Sequence, residues 1–261
     1  MKMKLYQIDA FTNENFRGNP AAVCPLDNWL DDDIMQKIAA ENNLSETAFV
    51  IPGDPVSALR WLTPKTEVNL CGHATLATAS VLFRDYFPDS QCLRFSSRSG
   101  ELAVTREGTL LRLDFPAQPV HRSSVDEAVV AAMGARPLEV FRGRDPMLVY
   151  ANGAEVAALQ PDFKRLRQLE QGRFLVTAPG DMVDFVSRFF APGVGIDEDP
   201  VTGSAHCSLI PYWAERLGKT RLLARQVSAR GGELQCELCG ARVGIAGQAV
   251  EYLRGEMTCP Q

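Results

Sequence analysis

Two stretches that lie far apart in the chain carry most of the information about its organisation. The first is Val68-Asn69-Leu70-Cys71-Gly72-His73-Ala74-Thr75-Leu76-Ala77. The second is Asp197-Glu198-Asp199-Pro200-Val201-Thr202-Gly203-Ser204-Ala205-His206-Cys207. In each, a polar run reaches a glycine, then one polar residue, then an alanine that opens an apolar segment typical of a buried helix. We therefore expect two helix starts that face one active site. Free N–H groups at a helix N-terminus attract anions, so this site would suit a negatively charged ligand.

Short matches around these stretches indicate an internal repeat. The matched segments are Pro52-Gly53-Asp54 with Pro179-Gly180-Asp181, Arg60-Trp61-Leu62-Thr63-Pro64 with Arg188-Phe189-Phe190-Ala191-Pro192, and Ser97-Arg98-Ser99-Gly100-Glu101-Leu102 with Ala229-Arg230-Gly231-Gly232-Glu233-Leu234. The gaps also agree, since Gly72 to Gly100 spans 28 positions and Gly203 to Gly232 spans 29. The alternative is convergent turn chemistry. The period exceeds the ~20–50 residues of a solenoid repeat, so we expect two similar domains.

The predicted fold class is α+β, with two pseudo-equivalent domains that each wrap a twisted, mostly antiparallel sheet around one buried helix. The predicted helices are Ala74–Phe83 and Ala205–Leu217, and Pro211 is expected to bend the second. We place the N-terminal half at residues 1–116, with a last strand at about 250–261 that crosses back to it, and the C-terminal half at 120–250. A linker is predicted at Phe115–Pro119. Paired domains of this kind usually bind a ligand in the cleft between them.

Composition and charge exclude several classes of partner. The chain has 261 residues, 46% of them hydrophobic, and a formal net charge of −5 without a basic cluster. We therefore expect neither nucleic acid nor a membrane as partner. No apolar run approaches the ~20 residues of a membrane span, and the N-terminus lacks the apolar core of a signal peptide. Cytoplasmic localisation is the expectation.

The cysteines predict neither a disulfide framework nor a metal site. Their number is seven, which is odd, and they are scattered along the chain. Cys236 and Cys239 form one close pair, but a zinc site usually needs a second pair or suitably spaced histidines, and the sequence has three histidines in all. We expect no metal and read this pair as strand residues.

Glu46 is the most informative single residue. It lies in the strand-like run Leu44–Ile51, whose two faces are largely apolar, and a carboxylate there is costly to bury unless it is paired or protonated. When the match of Pro52 with Pro179 is extended towards the N-terminus, Glu46 corresponds to Arg173. Only the first half would then supply a carboxylate. The alternative is a surface glutamate on an edge strand.

The glycine turns differ at the positions where chemistry is expected. His73 is matched by Ser204 and Cys71 by Thr202, while Asp199 is expected to lack a counterpart because the second turn has extra residues. Each has a simpler interpretation. His73 could cap its helix, Cys71 could be a small core residue, and Asp199 before Pro200 could open a turn.

At these residues the sequence resembles the PhzF-like phenazine-biosynthesis isomerase family, which has the diaminopimelate-epimerase-like fold. The resemblance covers almost the whole chain. It is carried by Asp9-Ala10-Phe11, Gly18-Asn19-Pro20-Ala21-Ala22-Val23, Leu44-Ser45-Glu46-Thr47-Ala48-Phe49, Leu70-Cys71-Gly72-His73-Ala74-Thr75, Glu198-Asp199-Pro200-Val201-Thr202-Gly203-Ser204-Ala205 and Gly231-Gly232-Glu233-Leu234. It implies two similar domains, each a twisted sheet or barrel about a central helix. It also implies a catalytic glutamate at Glu46 that works without a cofactor.

Together with the residues above, this resemblance implies a cofactor-independent isomerase or epimerase that moves a proton on a small carboxylate-bearing metabolite. The expected catalytic residues are Glu46, His73 and Asp199, and the expected substrate-binding residues are Gly72, Ala74, Thr202, Gly203 and Ser204. A homodimer is left open. One alternative is a dehydratase or racemase that uses Cys71, although Thr202 stands where the related epimerases carry a second thiol. The other is a non-catalytic metabolite-binding or interaction protein.

Overall fold

The computed structural model describes residues 2–170 and 172–259, and the chain divides into two compact units. Unit 1 comprises Met1–Asp114 and Ala246–Gln261, and unit 2 comprises Phe115–Ile245. The predicted linker Phe115–Pro119 is partly strand, because the strand Leu110–Pro116 continues through its first proline.

Unit 1 contains eight strands from the N-terminal part of the chain, two helices and the last strand. In chain order these are β1 (Lys2–Ala10), β2 (Asn19–Pro25), α1 (Asp32–Asn42), β3 (Glu46–Ile51), β4 (Val56–Leu62), β5 (Glu67–Val68), α2 (Gly72–Asp85), β6 (Cys92–Ser97), β7 (Gly100–Glu107) and β8 (Leu110–Pro116). Strand β1 pairs antiparallel with β2 and with the last strand. Then β2 pairs parallel with β3, β3 antiparallel with β4, and β4 antiparallel with β5 and parallel with β6. Antiparallel pairs β6–β7 and β7–β8 complete the set.

After an initial strand and helix, unit 2 repeats this order of elements, with two short helices where unit 1 has α1 and an added 3₁₀ turn. It contains β9 (His121–Ser123), α3 (Glu127–Met133), β10 (Glu139–Arg142), β11 (Met147–Val149), α4 (Gly153–Ala158), α5 (Phe163–Leu166), β12 (Phe174–Pro179), β13 (Phe185–Ala191), a 3₁₀ turn (Pro192–Val194), β14 (Ile196–Asp199), α6 (Gly203–Leu217), β15 (Arg221–Gln226), β16 (Gly232–Cys239) and β17 (Arg242–Gly247), whose last residues belong to unit 1. The last strand of the chain is β18 (Ala249–Thr258). The run β11–β16 has the same pairing directions as β2–β7.

The strand registers confirm the predicted matches for the paired strand residues. The match of Ser97 with Ala229 is wrong, because Ser97 pairs with Gly100 as Gln226 pairs with Gly232, and the turn before Gly232 is three residues longer. Thr47 pairs with Leu62 in unit 1, and Phe174 pairs with Phe190 in unit 2. Since Leu62 corresponds to Phe190, Glu46 corresponds to Arg173, as the sequence indicates. Gly72 and Gly203 are the first residues of α2 and α6.

The prediction that Asp199 lacks a counterpart is wrong. Asp199 pairs with Phe189 as Val68 pairs with Trp61, so Val68 is its equivalent in unit 1. The second turn is no longer than the first, because Glu67 precedes Gly72 by five positions and Glu198 precedes Gly203 by five. The extra residues lie earlier, between Pro192 and Glu198, where the 3₁₀ turn is inserted.

Helix α2 is the buried core element of unit 1. Almost every residue from His73 to Phe83 is buried, and the helix packs against β1, β2 and β3. Its equivalent α6 packs against β15 and β16, and it continues through Pro211. Such helices need apolar residues on all faces, which both sequences supply. Among the described helices, none combines the length and the apolar character needed to cross a membrane.

A matched ion pair stabilises the strand before each helix. In unit 1 the Arg60 guanidinium donates to both carboxylate oxygens of Glu67, at 2.9 and 2.7 Å. In unit 2 Arg188 donates in the same way to Glu198, at 2.7 and 2.9 Å. Bidentate geometry of this kind fixes the orientation of both partners. Each pair therefore ties the short strand that leads to the helix onto its neighbour in the sheet.

Candidate functional site

The beginnings of three elements bring polar side chains together in unit 1. Strand β2 runs parallel to β3 with Ala21 opposite Glu46, so Asn19 and Glu46 lie at the same edge of the sheet. Helix α2 begins at this edge, with Cys71 as the residue before it and His73 in its first turn. The sheet register and the helix start thus define a cluster of Asn19, Glu46, Cys71 and His73.

His73 is the centre of this cluster. Its Nε2 lies 3.1 Å from Glu46 Oε2, and its Nδ1 lies 3.2 Å from Asn19 Nδ2 and 3.5 Å from Cys71 Sγ. The His73 side chain is 6% exposed and the Glu46 side chain 14%. The Glu46–His73 pair has the separation of an ion pair, but its orientation is not that of a good hydrogen bond, and both atoms are buried. Buried polar atoms without such a bond are typical of catalytic and ligand-binding positions.

The charges of the cluster follow from its burial. Burial opposes the charged form of His73, but the interactions of the ring with Cys71 and Glu46 outweigh burial and hold the pKa of His73 well above its ordinary value. Burial, reinforced by the negative charge of Glu46, raises the pKa of the Cys71 thiol to about 11. Cys71 is therefore a neutral thiol at neutral pH. We attribute the charge of His73 to its pairing with Glu46.

The amide of Asn19 can meet either state of His73. When its NH₂ group faces Nδ1, the Asn19 amide can donate to the neutral imidazole, whose proton is then on Nε2. Rotated by 180°, it presents its oxygen to Nδ1 and suits the imidazolium. Asn19 can therefore present a matching group to Nδ1 whether His73 holds one proton or two.

A single metal ion does not fit the cluster. Ligand atoms of Glu46, Cys71 and His73 lie within 4.8 Å of one another. However, Glu46 approaches Nε2 of the His73 ring and Cys71 approaches Nδ1, which are on opposite sides of the imidazole. One ion bonded to a ring nitrogen is out of reach of the group on the other side. Cys236 and Cys239 are strand residues, as predicted, since both lie in β16.

In unit 2 the residues before α6 form a second hydrogen-bonded group. The Thr202 hydroxyl donates to Asp199 Oδ2 at 2.6 Å. The buried amide of Gln226 donates to the Asp199 carbonyl at 2.7 Å and to Thr202 Oγ1 at 3.1 Å. Its oxygen accepts from the Thr202 backbone N–H at 2.8 Å. Gln226 thus holds the segment that carries Asp199 and leads into Gly203 and Ser204.

The two helix starts share one property. Neither Cys71 nor Thr202, the residues that precede α2 and α6, makes a side-chain capping hydrogen bond to its helix. The first-turn N–H groups of Gly72, His73 and Ala74, and of Gly203 and Ser204, are therefore not capped by those side chains. Ser204, the counterpart of His73, is partly exposed.

Two residues of these groups were not predicted. Asn19 belongs to a segment that carries the resemblance, but nothing in the sequence assigns it a contact with His73. Gln226 matches Ser97 by register and leaves no signal in the sequence. Of the predicted residues, Glu46, Cys71, His73, Gly72 and Ala74 lie in unit 1, and Asp199, Thr202, Gly203 and Ser204 lie in unit 2.

Comparison with known proteins assigns the family. The model of a family described as "Phenazine biosynthesis-like protein" matches residues 8–255. The chain belongs to this family. A Pseudomonas aeruginosa relative named as an uncharacterized isomerase is 52% identical and is matched over 98% of this chain and 99% of its own length. A human phenazine biosynthesis-like domain-containing protein is 41% identical over 99% of this chain and 100% of its own.

Solved structures confirm the predicted fold class. A PhzF-family protein from Enterococcus faecalis superposes with a TM-score of 0.97 at 49% identity, covering 99% of this chain and 100% of its own. A hydroxyproline epimerase from Agrobacterium vitis superposes with a TM-score of 0.62 at 10% identity, over 98% of this chain and 91% of its own. That second likeness shows the α+β fold alone. The family thus shares its fold with proline-racemase-like proteins.

Proposed function

We propose that the protein is a cofactor-independent isomerase or epimerase that moves a proton on a small carboxylate-bearing metabolite. The observation that carries the proposal is the Glu46–His73 pair, whose facing atoms are 3.1 Å apart and buried. A buried carboxylate beside a proton-holding imidazole is suited to general acid–base catalysis. The relatives named as isomerases support the reaction class.

In the proposed reaction Glu46 removes a proton from carbon and returns it elsewhere on the same substrate. The electron pair of the broken C–H bond is delocalised into the substrate, and a second C–H bond forms when Glu46 gives the proton back. His73 donates towards the substrate or towards Glu46, and the raised pKa of His73 keeps a proton available for this purpose. A general base of this kind contributes ~10²–10⁴-fold to the rate.

The substrate carboxylate is proposed to bind at the helix starts. Backbone N–H groups of Gly72 and Ala74, and of Gly203 and Ser204, suit a carboxylate or the negative charge that develops on it. Asp199 is proposed to orient an amine or hydroxyl of the substrate, with Thr202 holding its carboxylate by the 2.6 Å hydrogen bond.

Solvent hydrogen exchange tests the proposal while the substrate is still unidentified. The protein is incubated with a set of carboxylate metabolites in D₂O, and incorporation of carbon-bound deuterium is followed by mass spectrometry. We expect at least one metabolite to take up deuterium. Glu46→Gln keeps the shape but cannot accept the proton, so it should reduce uptake by at least ~10²-fold.

The matched control is Glu41→Gln, since Glu41 is an exposed glutamate in α1 of the same unit. With this variant, deuterium uptake by the metabolite should proceed at the wild-type rate. Uptake by the Glu46→Gln protein at the wild-type rate would overturn the role of Glu46. Binding of carboxylates without any exchange, measured by thermal shift, would favour a non-catalytic binding protein.

A further inference from the structure

An open cavity of about 390 Å³ lies in unit 1 beside the C-terminal half of α2. The residues that line it include Ser80, Phe83, Arg84, Arg106, Thr109 and Leu111. Small-molecule sites in proteins usually measure roughly 300–1,000 Å³, so this cavity has room for a small metabolite. Ser80 follows His73 by seven residues, which places it about 10 Å further along the helix axis. The cavity is therefore separate from the cluster around His73.

Arg106, near the end of β7, brings a positive charge to this cavity. Its guanidinium carbon lies 4.4 Å from the centre of the Phe83 ring, and it donates to the carbonyls of Phe83 at 3.0 Å and Pro88 at 3.1 Å. These acceptors are neutral, and they use two of the five N–H groups of the guanidinium. Among the residues that the structure describes, no carboxylate lies within ion-pair distance of Arg106. A partly buried cation without a counter-charge favours an anionic ligand.

The other arginine of the cavity, Arg84, is already neutralised. It donates to both carboxylate oxygens of Asp85, at 2.7 and 3.0 Å, and contacts the Glu251 carboxylate at 2.7 Å. Arg254 contacts the same two carboxylates, at 3.4 and 3.3 Å. Two arginines thus balance two acids, and the charge of Arg106 is the one that a ligand can neutralise.

Two hydroxyl groups of the cavity can donate to the same ligand. In α2 the hydroxyls of Thr75 and Thr78 each donate to the carbonyl four residues earlier, at 2.6 and 2.7 Å. Ser80 makes no such bond in the described part of the chain, so its hydroxyl is available to the cavity. Thr109 Oγ1 accepts from Gln248 Nε2 at 3.0 Å, which leaves the hydroxyl hydrogen of Thr109 free to donate. These groups complement the guanidinium as donors to a carboxylate or a phosphate.

The equivalent surface of unit 2 lacks these donors. By strand register Arg106 corresponds to Leu238, and by helix position Arg84 corresponds to Glu215 and Ser80 to Pro211. The backbone is the same at the first of these positions, since the N–H of Arg106 and that of Leu238 each donate to the residue before the neighbouring strand. The shared frame therefore does not require an arginine here, and the positive charge belongs to the cavity of unit 1.

We propose that this cavity binds a small organic anion, whose carboxylate or phosphate group is held by Arg106, Ser80 and Thr109. The apolar body of the ligand lies against Phe83 and Leu111, the apolar wall of the cavity. Because the cavity is separate from the cluster around His73, its occupancy does not depend on the proton transfer proposed for Glu46.

Titration of isotope-labelled protein, followed by NMR of its backbone amides, tests the site. The probes are benzoate, inorganic phosphate and benzamide, the last of which has the shape of benzoate without its charge. At least one of the two anions should shift the amide signals of Ser80, Gly108 and Thr109, and the anion that does so identifies the group that the cavity holds. The amides of Gly72 and Ala74 report separately on binding at the start of α2. No shift at Ser80, Gly108 and Thr109 with either anion, or an equal shift with benzamide, would overturn the proposal.

Two variants identify the donors. Arg106→Leu copies the residue of unit 2 and removes the charge, so it should weaken anion binding at least ~10-fold. Ser80→Ala removes one neutral donor and should weaken binding about 2–10-fold, and it tests the site even if the loss of Arg106 loosens the end of α2. The matched control is Arg94→Leu, an exposed arginine of β6 that contacts Glu101 at 3.4 Å, and it should bind the anion as the wild type does. Affinity that neither Arg106→Leu nor Ser80→Ala changes would place the anion elsewhere and overturn the proposal.

Discussion

Arg173 occupies in unit 2 the position that Glu46 occupies in unit 1. Its guanidinium contacts the Asp145 carboxylate at 2.8 Å, and Asp145 corresponds by register to Ala21, the strand partner of Glu46. The same backbone frame thus holds a carboxylate beside the helix start in one unit and a cation neutralised by a buried carboxylate in the other. Unit 1 therefore supplies the group that can accept a proton, which agrees with the proposed role of Glu46.

The first prediction separates glutamate from thiol chemistry. A catalytic thiolate needs a low pKa and access to solvent, whereas burial raises the pKa of Cys71 to about 11 and leaves the residue 7% exposed. Cys71→Ala should therefore keep most of the deuterium exchange, while Glu46→Gln loses it. Alkylating reagents should spare activity for the same reason. The opposite pattern, with Cys71→Ala inactive and Glu46→Gln mildly affected, would assign the chemistry to the thiol.

The second prediction compares the matched ion pairs. Arg188 is 9% exposed at its side chain, and besides Glu198 it donates to the carbonyls of Val156 and Leu159. Arg188→Met leaves a half-buried carboxylate and these carbonyls without their donor, and should cost about 3–5 kcal/mol of unfolding free energy. In unit 1, Glu67 retains Arg98 at 2.8 Å, so Arg60→Met should cost less, about 1–2 kcal/mol.

Urea unfolding of the two variants measures this difference. The control is the double variant Arg188→Met/Glu198→Leu, which removes the unpaired carboxylate and should recover part of the loss. Equal costs for Arg60→Met and Arg188→Met would show that the extra carbonyl contacts of Arg188 contribute little to stability.

The repeat and its central helices could be predicted from the sequence because they depend on local signals. Glycines, prolines and apolar runs recur at nearly fixed gaps, and these residue types act through their own backbone and burial. The error at Asp199 has a definite source. The proline-to-glycine gap is longer in the second half, and the sequence does not tell whether the added residues precede β14 or follow it. The register of β13 with β14 decides this.

The contacts of the candidate site were less accessible to prediction. The meeting of Glu46 with His73 requires the parallel pairing of β2 with β3 and the packing of α2 on both strands. Asn19 and Gln226 act through side-chain amides, whose partners are set by that tertiary arrangement. An amide residue in a strand has no sequence pattern that distinguishes a structural clamp from an ordinary polar position.

The third prediction concerns Gln226, which makes three hydrogen bonds to the segment that carries Asp199. Gln226→Leu leaves the Asp199 carbonyl and the Thr202 N–H without these partners in a buried setting, and should cost about 3 kcal/mol. The Thr202 amide should also exchange faster with solvent than in the wild type. The control is Gln235→Leu, an exposed glutamine in β16, which should change neither quantity. An unchanged exchange rate of the Thr202 amide would contradict the proposed role of Gln226 in holding this segment.

The last prediction concerns His206, a fully buried residue of α6 that corresponds to Thr75 in α2. Its Nδ1 lies 2.8 Å from the Thr202 carbonyl, as the Thr75 hydroxyl lies 2.6 Å from the Cys71 carbonyl. Burial lowers the pKa of His206 from 6.5 to about 4. The unfolded chain therefore takes up a proton below pH 6.5 while the folded chain does not until about pH 4. Stability from this group is present above pH 6.5 and is lost as pH falls through that window.

The contribution of His206 to the free energy of unfolding falls by roughly 3 kcal/mol between pH 6.5 and 4, from the shift of its pKa alone. His206→Thr copies the residue of unit 1, keeps a donor to the Thr202 carbonyl and removes the titrating ring. Its unfolding free energy is expected to start lower at neutral pH because of the cavity it leaves, and then to fall less steeply than that of the wild type on acidification. Urea unfolding across this pH range measures both slopes, with His121→Thr, an exposed histidine of β9, as the control that should follow the wild type. Parallel curves for the wild type and His206→Thr would mean that His206 is protonated in the folded protein, and that its burial does not keep it neutral.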